Sequence, residues 1–383
     1  MATVYLHIGT PKTGTTALQF FLPENNEILR KHGVEFPDFG FRYTNRGLNH
    51  NGRFLLGAAK LPAGSQEQTR KEQAEYQAGL EKLKALAQHR DRIILSEEGL
   101  WPEGAQRPGF WQHLKKDMDD LGIELKIIVY LRRQDDFVQS HWAQLVKNRG
   151  SLNDFREHLQ WMAKIGYPLD YEKYLREIRT YVGVGNMIVR VYDKSCYVGA
   201  EGTIFSDFLA IFGLRMADGF EVKQSVYNTS LSGDTVELRR MMNRVKGTQG
   251  GAHPLTLALK QIQEIDEFAN GWKDTMCFES EEEHQRFMAQ YEPGNAAIAR
   301  EYLGREDGVL FPSAREQRPY QADADRMIGE LAVLLADMTV RQQKEIGALQ
   351  KELRETRKEL EQSMLWFRCK RKVKHLLGKD KKA

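Results

Sequence analysis

The chain has 383 residues, 41% of them hydrophobic and 28% charged, with a formal net charge of +3; that is enough apolar material to bury a sizeable core in one large domain with appendages or in two modest ones. Its three cysteines, Cys196, Cys277 and Cys369, lie far apart with no metal-ligand spacing, which argues against a disulfide framework and for a reducing compartment. No apolar run approaches the roughly 20 residues of a membrane span, and no basic leader with an apolar core opens the sequence, so a soluble, cytoplasmic protein is expected. The charge is uneven: residues 365–383 hold eight Lys and Arg against Asp380 alone, and the remainder is net acidic. Nucleic acid is therefore not an expected partner of the main body.

An apolar run at residues 4–8 leads through His7-Ile8-Gly9-Thr10-Pro11-Lys12-Thr13-Gly14-Thr15-Thr16 into Ala17-Leu18-Gln19-Phe20-Phe21-Leu22. The pattern predicts a strand, a tight loop and the first turns of a helix. Glycines let backbone N–H groups approach an anion, and threonines supply hydroxyls at a helix start. The helix dipole and Lys12 add positive charge at the same place. These are the parts of a phosphate cradle. A nucleotide triphosphatase loop reads G-x-x-x-x-G-K-[ST], with lysine directly after the second glycine. Here Gly9 and Gly14 have that spacing, but Thr15 stands in the lysine's place and Lys12 lies inside the loop. The string Pro11-Lys12-Thr13-Gly14-Thr15-Thr16 instead resembles the 5′-phosphosulfate loop of PAPS-dependent sulfotransferases (PAPS is 3′-phosphoadenosine 5′-phosphosulfate), P-K-[ST]-G-T-[ST]. The resemblance implies a P-loop-type α/β fold, a doubly wound parallel sheet with the cofactor at the carboxyl ends of its strands.

Farther along, Gly33-Val34-Glu35-Phe36-Pro37 reads as a short extended piece, and the polar, Gly/Asn-rich residues 43–53 read as a loop. That loop carries His50, whose imidazole titrates near neutrality and can take a proton from an attacking hydroxyl. Residues 67–88 have helical periodicity and precede Arg92-Ile93-Ile94-Leu95-Ser96-Glu97-Glu98-Gly99-Leu100-Trp101. Its apolar triplet predicts a buried parallel strand, with two carboxylates where the strand emerges. Glu98 is the favoured general base, Glu97 the next; a carboxylate favoured by a helix dipole is the alternative use of either. The string also resembles the L-S-S-E segment of bacterial carbohydrate sulfotransferases, with Ser96 and Glu98 in matching places and Glu97 departing from the usual serine.

A second strong string is Leu125-Lys126-Ile127-Ile128-Val129-Tyr130-Leu131-Arg132-Arg133-Gln134-Asp135-Asp136-Phe137-Val138-Gln139-Ser140. A central strand runs into an arginine, whose rigid fork of donors suits phosphate oxygens, and a helix from about Gln134 carries Ser140 almost two turns in. Sulfotransferases carry this R-x7-S arrangement for the 3′-phosphate of PAPS, and Arg132 and Ser140 match it. Arg133 is expected to face solvent or pair with Asp136. Residues 145–181 read as mostly helical, with Trp142, Trp161 and Tyr167 available either to a sugar site or, more commonly, to the core. Residues 186–192 predict a further strand, 205–212 an apolar helix ended by Gly213, and 235–242 a helix. Residues 226–232 contain an N-x-S string resembling one in bacterial relatives, equally explained by helix capping. Residues 255–269 and 295–303 read as surface or lid helices.

From Asp323 onward, apolar residues keep helical spacing with no proline, near a heptad from Ile346, so a short coiled coil and a homodimer through it are expected. The basic, aromatic end could lie on an anionic inner membrane leaflet, each basic residue being worth about 1 kcal/mol there; a solubilising helix end is the plain alternative. The expected organisation is a domain at 1–312 and a helical extension at 313–383. The resemblance implies sulfuryl transfer from PAPS to a hydroxyl or amine of a carbohydrate or glycolipid acceptor without a metal. Lys12 would stabilise the leaving phosphate, residues Pro11, Lys12, Thr13, Gly14, Thr15 and Thr16 would hold the 5′-phosphate, Arg132 and Ser140 the 3′-phosphate, and Glu98 or His50 would take the acceptor proton. A P-loop kinase or ATPase, and a non-catalytic assembly protein acting through the C-terminal helix, are the rival readings.

Overall fold

The computed structural model describes residues 1–41, 50–58, 66–223, 231, 233–248, 250–265, 275–313 and 317–377. Five strands form its main sheet: β1 (Thr3–His7), β2 (Val34–Glu35), β3 (Arg92–Ser96), β4 (Glu124–Leu131) and β5 (Met187–Val191). All are parallel, in the order β2-β3-β1-β4-β5. Their runs of Val, Ile and Leu suit strands covered on both faces, and the two-residue period divides each strand's side chains between two cores.

Against one face pack α1 (Thr15–Glu24), α2 (Asn26–Lys31) and α9 (Ile204–Ala210), whose Leu18, Phe21, Leu29 and Phe208 bury Ile94, Ile128 and Tyr130. Against the other pack α3 (Gln66–Ala87), α4 (Leu100–Gln106), α5 (Phe110–Asp120) and α8 (Tyr171–Val182), covering Leu6, Ile93, Leu95, Ile127 and Val129. The sequence reading had placed no helices at α4 and α5. A third core joins α6 (Gln134–Arg149), α7 (Phe155–Lys164), α10 (Asp234–Met242), α11 (Pro254–Ile262) and α12 (Glu281–Ala289). Two short parallel strands, β6 (Thr275–Met276) and β7 (Arg318–Pro319), lie apart from the main sheet.

The connection from β1 to β2 passes β3 toward one edge, whereas β3 to β4 and β4 to β5 run toward the other. The direction reverses at β1, so the crevice between the carboxyl ends of β1 and β4 is the topological switch point, where open α/β sheets bind ligands.

Two segments expected at the surface are packed instead. In α11, Ala258, Leu259 and Ile262 are buried in the third core, and in α13 (Glu292–Leu303), Ile298 and Ala299 are buried in the core against α8 and β5. Each has a narrow apolar stripe, too short to separate from a surface helix without knowing what faces it. Arg133 pairs with Asp135 at 3.2 Å, not with Asp136; Asp135 is buried and also meets His284 of α12 at 2.7 Å, so it is the carboxylate that requires a cation. Residues 43–49, 226–230 and Ser232 lie outside the described residues.

The last helix, α14 (Ala324–Leu377), contacts α10 and α11 at its start, where Leu334 and Glu330 are buried and Arg326 pairs with Asp234. Beyond that, Ile346, Leu349, Leu353 and Leu360 are exposed. Among the described residues no helix is long and apolar enough to cross a membrane.

One glycine tests the packing of α3. A Cβ at Gly79 would lie 2.1 Å from Cδ2 of Phe54, a buried ring. Alanine there gains about 1 kcal/mol of helix propensity but overpacks a full core, at about 1–3 kcal/mol. Gly79→Ala is expected to lower the urea midpoint without changing the m-value, although the same change at an exposed helical site would raise it.

Candidate functional site

The loop after β1 stays attached to β4 beyond the strand's end. Thr10 N–H donates to the Tyr130 carbonyl (2.8 Å), and Tyr130 N–H donates to the Gly9 carbonyl (2.7 Å). Lys12 and Gly14 adopt left-handed backbone conformations, with φ of 69° and 73°. A Cβ at Gly14 would meet Cδ1 of Ile204 at 2.9 Å and the Tyr192 ring at 3.2 Å, and with its positive φ the position favours glycine. Gly14 is the N-cap of α1, with no side chain capping the helix, which leaves the first-turn N–H groups to a ligand or water.

Arg132, at the end of β4, donates from Nη1 to the Lys12 carbonyl at 3.1 Å, and its guanidinium lies 5.9 Å from the Tyr192 ring centroid. Sheet pairing thus brings together two strings 120 residues apart. Burial, with the Arg132 charge next, depresses the Lys12 ammonium below the usual lysine range; Glu98 opposes the shift, and Lys260 of α11 adds to it. Two further cations, Arg132 and Lys260, thus act on Lys12, and Glu98 opposes them. Lys260 carried no signal in the sequence, being one basic residue on a helix far from the loop.

Glu98 accepts a hydrogen bond from Thr15 Oγ1. Burial raises the Glu98 carboxyl above the usual range and neighbouring Glu97 adds to that, while Thr15, His50 and Lys12 pull the other way. A carboxylate so placed is an available base within the field of Lys12. Thr13 donates to the Thr10 carbonyl within the loop, so its hydroxyl and that of Thr15 are engaged in this structure. Pro11 and Thr16 are half-buried in the same loop.

Two residues from β3 and the following loop bring in His50. Asn51 is locked onto the sheet: Nδ2 donates to the Pro37 and Ile94 carbonyls, both at 3.0 Å, and Oδ1 accepts from Ser96 N–H at 2.8 Å. A Cβ at adjacent Gly52 would approach the Ser96 backbone to 3.2 Å. His50 is thereby held with Nδ1 3.2 Å from Oε2 of buried Glu97. Sequence reading noticed neither the clamp nor the pairing; Asn-Gly reads only as a turn. Ser96 faces inward, its hydroxyl 3.0 Å from Nδ1 of buried His7.

Ser140 and Arg132 line a common cavity of about 300 Å³ with Asp136, Gln139, Cys277 and Tyr320. A larger one, about 870 Å³, is also lined by Arg132, with Tyr192, Tyr197, Thr203 and Ile204. Trp142, a sugar-site candidate, is buried and donates from Nε1 to the Asn153 carbonyl at 2.9 Å; it is a core residue. Among the described residues no group of three or more His, Cys, Asp or Glu could hold a metal.

No family model matches this chain and no solved structure matches it. A protein of Archaeoglobus fulgidus, described as uncharacterized, is 28% identical over 207 residues, 54% of this chain and 53% of its own. The chain thus spans about half the length of this curated relative.

For His50, burial lowers the imidazole, but the Glu97 carboxylate 3.2 Å away and the charge of Glu98 outweigh it, and the net shift is upward. A raised folded-state pKa means the contribution to stability is complete below the unfolded value of about 6.5 and is lost as pH rises through the folded one. An NMR titration should place His50 above that reference, and Glu97→Gln should bring it down.

Proposed function

We propose that this chain is a PAPS-dependent sulfotransferase of P-loop type, which moves a sulfuryl group to a hydroxyl or amine of a carbohydrate acceptor. The observation that carries the reading is the meeting of the glycine loop, Lys12 and Arg132 at the switch point, with Glu98 bonded to Thr15. A bare backbone at Gly14, where a Cβ would collide with Ile204, and a cationic surround fit a phosphate group. The Archaeoglobus relative neither adds to this reading nor opposes it.

In it, Pro11, Lys12, Thr13, Gly14, Thr15 and Thr16 hold the 5′-phosphate, and Arg132 with Ser140 holds the 3′-phosphate. PAPS, when bound, supplies a sulfuryl group on a bisphosphate leaving group. Lys12 holds positive charge where negative charge develops, and acts most strongly where water is excluded. Glu98 takes the acceptor proton. His50, held by Glu97, is the alternative base. A lysine in the loop and a helix N-terminus together provide the charge that a metal provides to phosphoryl transfer.

Calorimetric titration with adenosine 3′,5′-bisphosphate, beside ATP with magnesium, tests the cofactor. Tight binding of the bisphosphate, weakened about 10- to 100-fold in Arg132→Ala through loss of charge-assisted hydrogen bonds, is the expected result. Preference for ATP–magnesium, or binding of neither, would overturn the reading.

A base with a raised pKa also has a kinetic consequence. Since Glu98 must be ionised to accept a proton, kcat/KM should fall toward low pH with a midpoint above the ordinary glutamate value of about 4.3. Glu98→Gln should remove that limb and lower kcat by about 10²- to 10⁴-fold. Retention of the limb in this variant would move the role to His50.

A further inference from the structure

Beside the Lys12 loop, helices α6 and α7 present a group of rings that the proposed transfer chemistry does not use. His141 Nδ1 lies 3.3 Å from His158 Nε2. Trp161 stacks on both imidazoles, at 6.2 Å and 10° from His141 and at 5.6 Å and 26° from His158. Tyr167 packs on His141 and Phe137, with centroids 5.4 Å apart in each case. Trp161 is 37% exposed.

The Tyr167 hydroxyl is buried and has no hydrogen-bond partner among the described residues. Such a group is costly unless a ligand completes it. Its place is fixed near the loop, because Tyr171, four residues on, donates from Oη to the Arg132 carbonyl at 2.8 Å. The Lys12 charge acts on His141 and the Glu98 charge on Tyr167. Burial holds both imidazoles neutral, His141 down to about 3 and His158 to about 4.

We propose that Trp161, His141, His158 and Tyr167 form the acceptor wall, which receives an uncharged sugar ring on the indole and completes the Tyr167 hydroxyl with one of its own. The inference rests on the transferase reading for its direction, since Ser140, next to His141 in α6, lines a cavity with Arg132. Aromatic faces stack on the C–H surfaces of a pyranose, and polar ring edges supply hydrogen bonds. None of the four rings carries a positive charge to pair with a uronate carboxylate, since burial holds both imidazoles neutral.

Saturation-transfer NMR on the full chain, with and without adenosine 3′,5′-bisphosphate, would use cellotriose, maltotriose and chitotriose as neutral probes and trigalacturonate as the acidic one. At least one neutral probe should bind, about tenfold more weakly in Trp161→Ala and several-fold more weakly in Tyr167→Phe. Trp161→Phe should restore most of the loss, and bisphosphate affinity should be unchanged in all three. Preference for trigalacturonate, binding indifferent to Trp161, or no saccharide binding would overturn the wall. If neutral sugars bind through Trp161 but the bisphosphate does not bind, the transferase reading fails while the wall stands.

Discussion

The pairing of β1 with a neighbour on each side is the constraint on which the rest depends. Parallel β1 is hydrogen-bonded to β3 and β4 and buried on both faces, so shifting its register would orphan backbone groups at about 1–3 kcal/mol each and turn its side chains into the wrong core. Its ladder continues past the last strand residue, through Gly9 and Thr10 to Tyr130. The loop therefore leaves the sheet at a fixed point, and the residue following β4 meets it. The contact of Arg132 with the Lys12 carbonyl is a consequence of this register.

Electrostatics at that point balance opposing demands. Burial first, then the charges of Arg132 and Lys260, disfavour the proton on Lys12, and Glu98 opposes them. Glu98 is desolvated beside a second carboxylate, yet held by Thr15 and drawn down by Lys12 and His50. An entering anion would relieve the first conflict, since it would favour the charged form of Lys12. The two adjacent glutamates serve different partners: Glu98 faces the loop, while Glu97 holds His50 through a segment clamped by Asn51.

The C-terminal helix divides in the same physical terms. Its first turns bury Leu334 and Glu330 against α10 and α11 and pair Arg326 with Asp234, which also accepts from Tyr320. Gln317 and Tyr320, just before it, border the cavity that contains Arg132 and Ser140. The helix start is thus continuous with the body of the protein, whereas its later apolar positions face solvent.

The sequence by itself determined the strands, the loop and the alternation of strand and helix, because these are set by local pattern: apolar runs at β1, β3, β4 and β5 and a glycine spacing after the first. It also singled out Lys12, Glu98, Arg132 and His50 as candidates. It could not show that Arg133 would serve Asp135, that α11 and α13 would be buried, or that Trp142 would be core while Trp161 lies open, since each depends on what an element faces. Lys260, the Asn51 clamp and the rings around His141 were hidden for the same reason. Only the tertiary structure decided which groups share a site, because burial, fields and hydrogen bonds act across space between residues tens to hundreds of positions apart, and no local spacing encodes those distances.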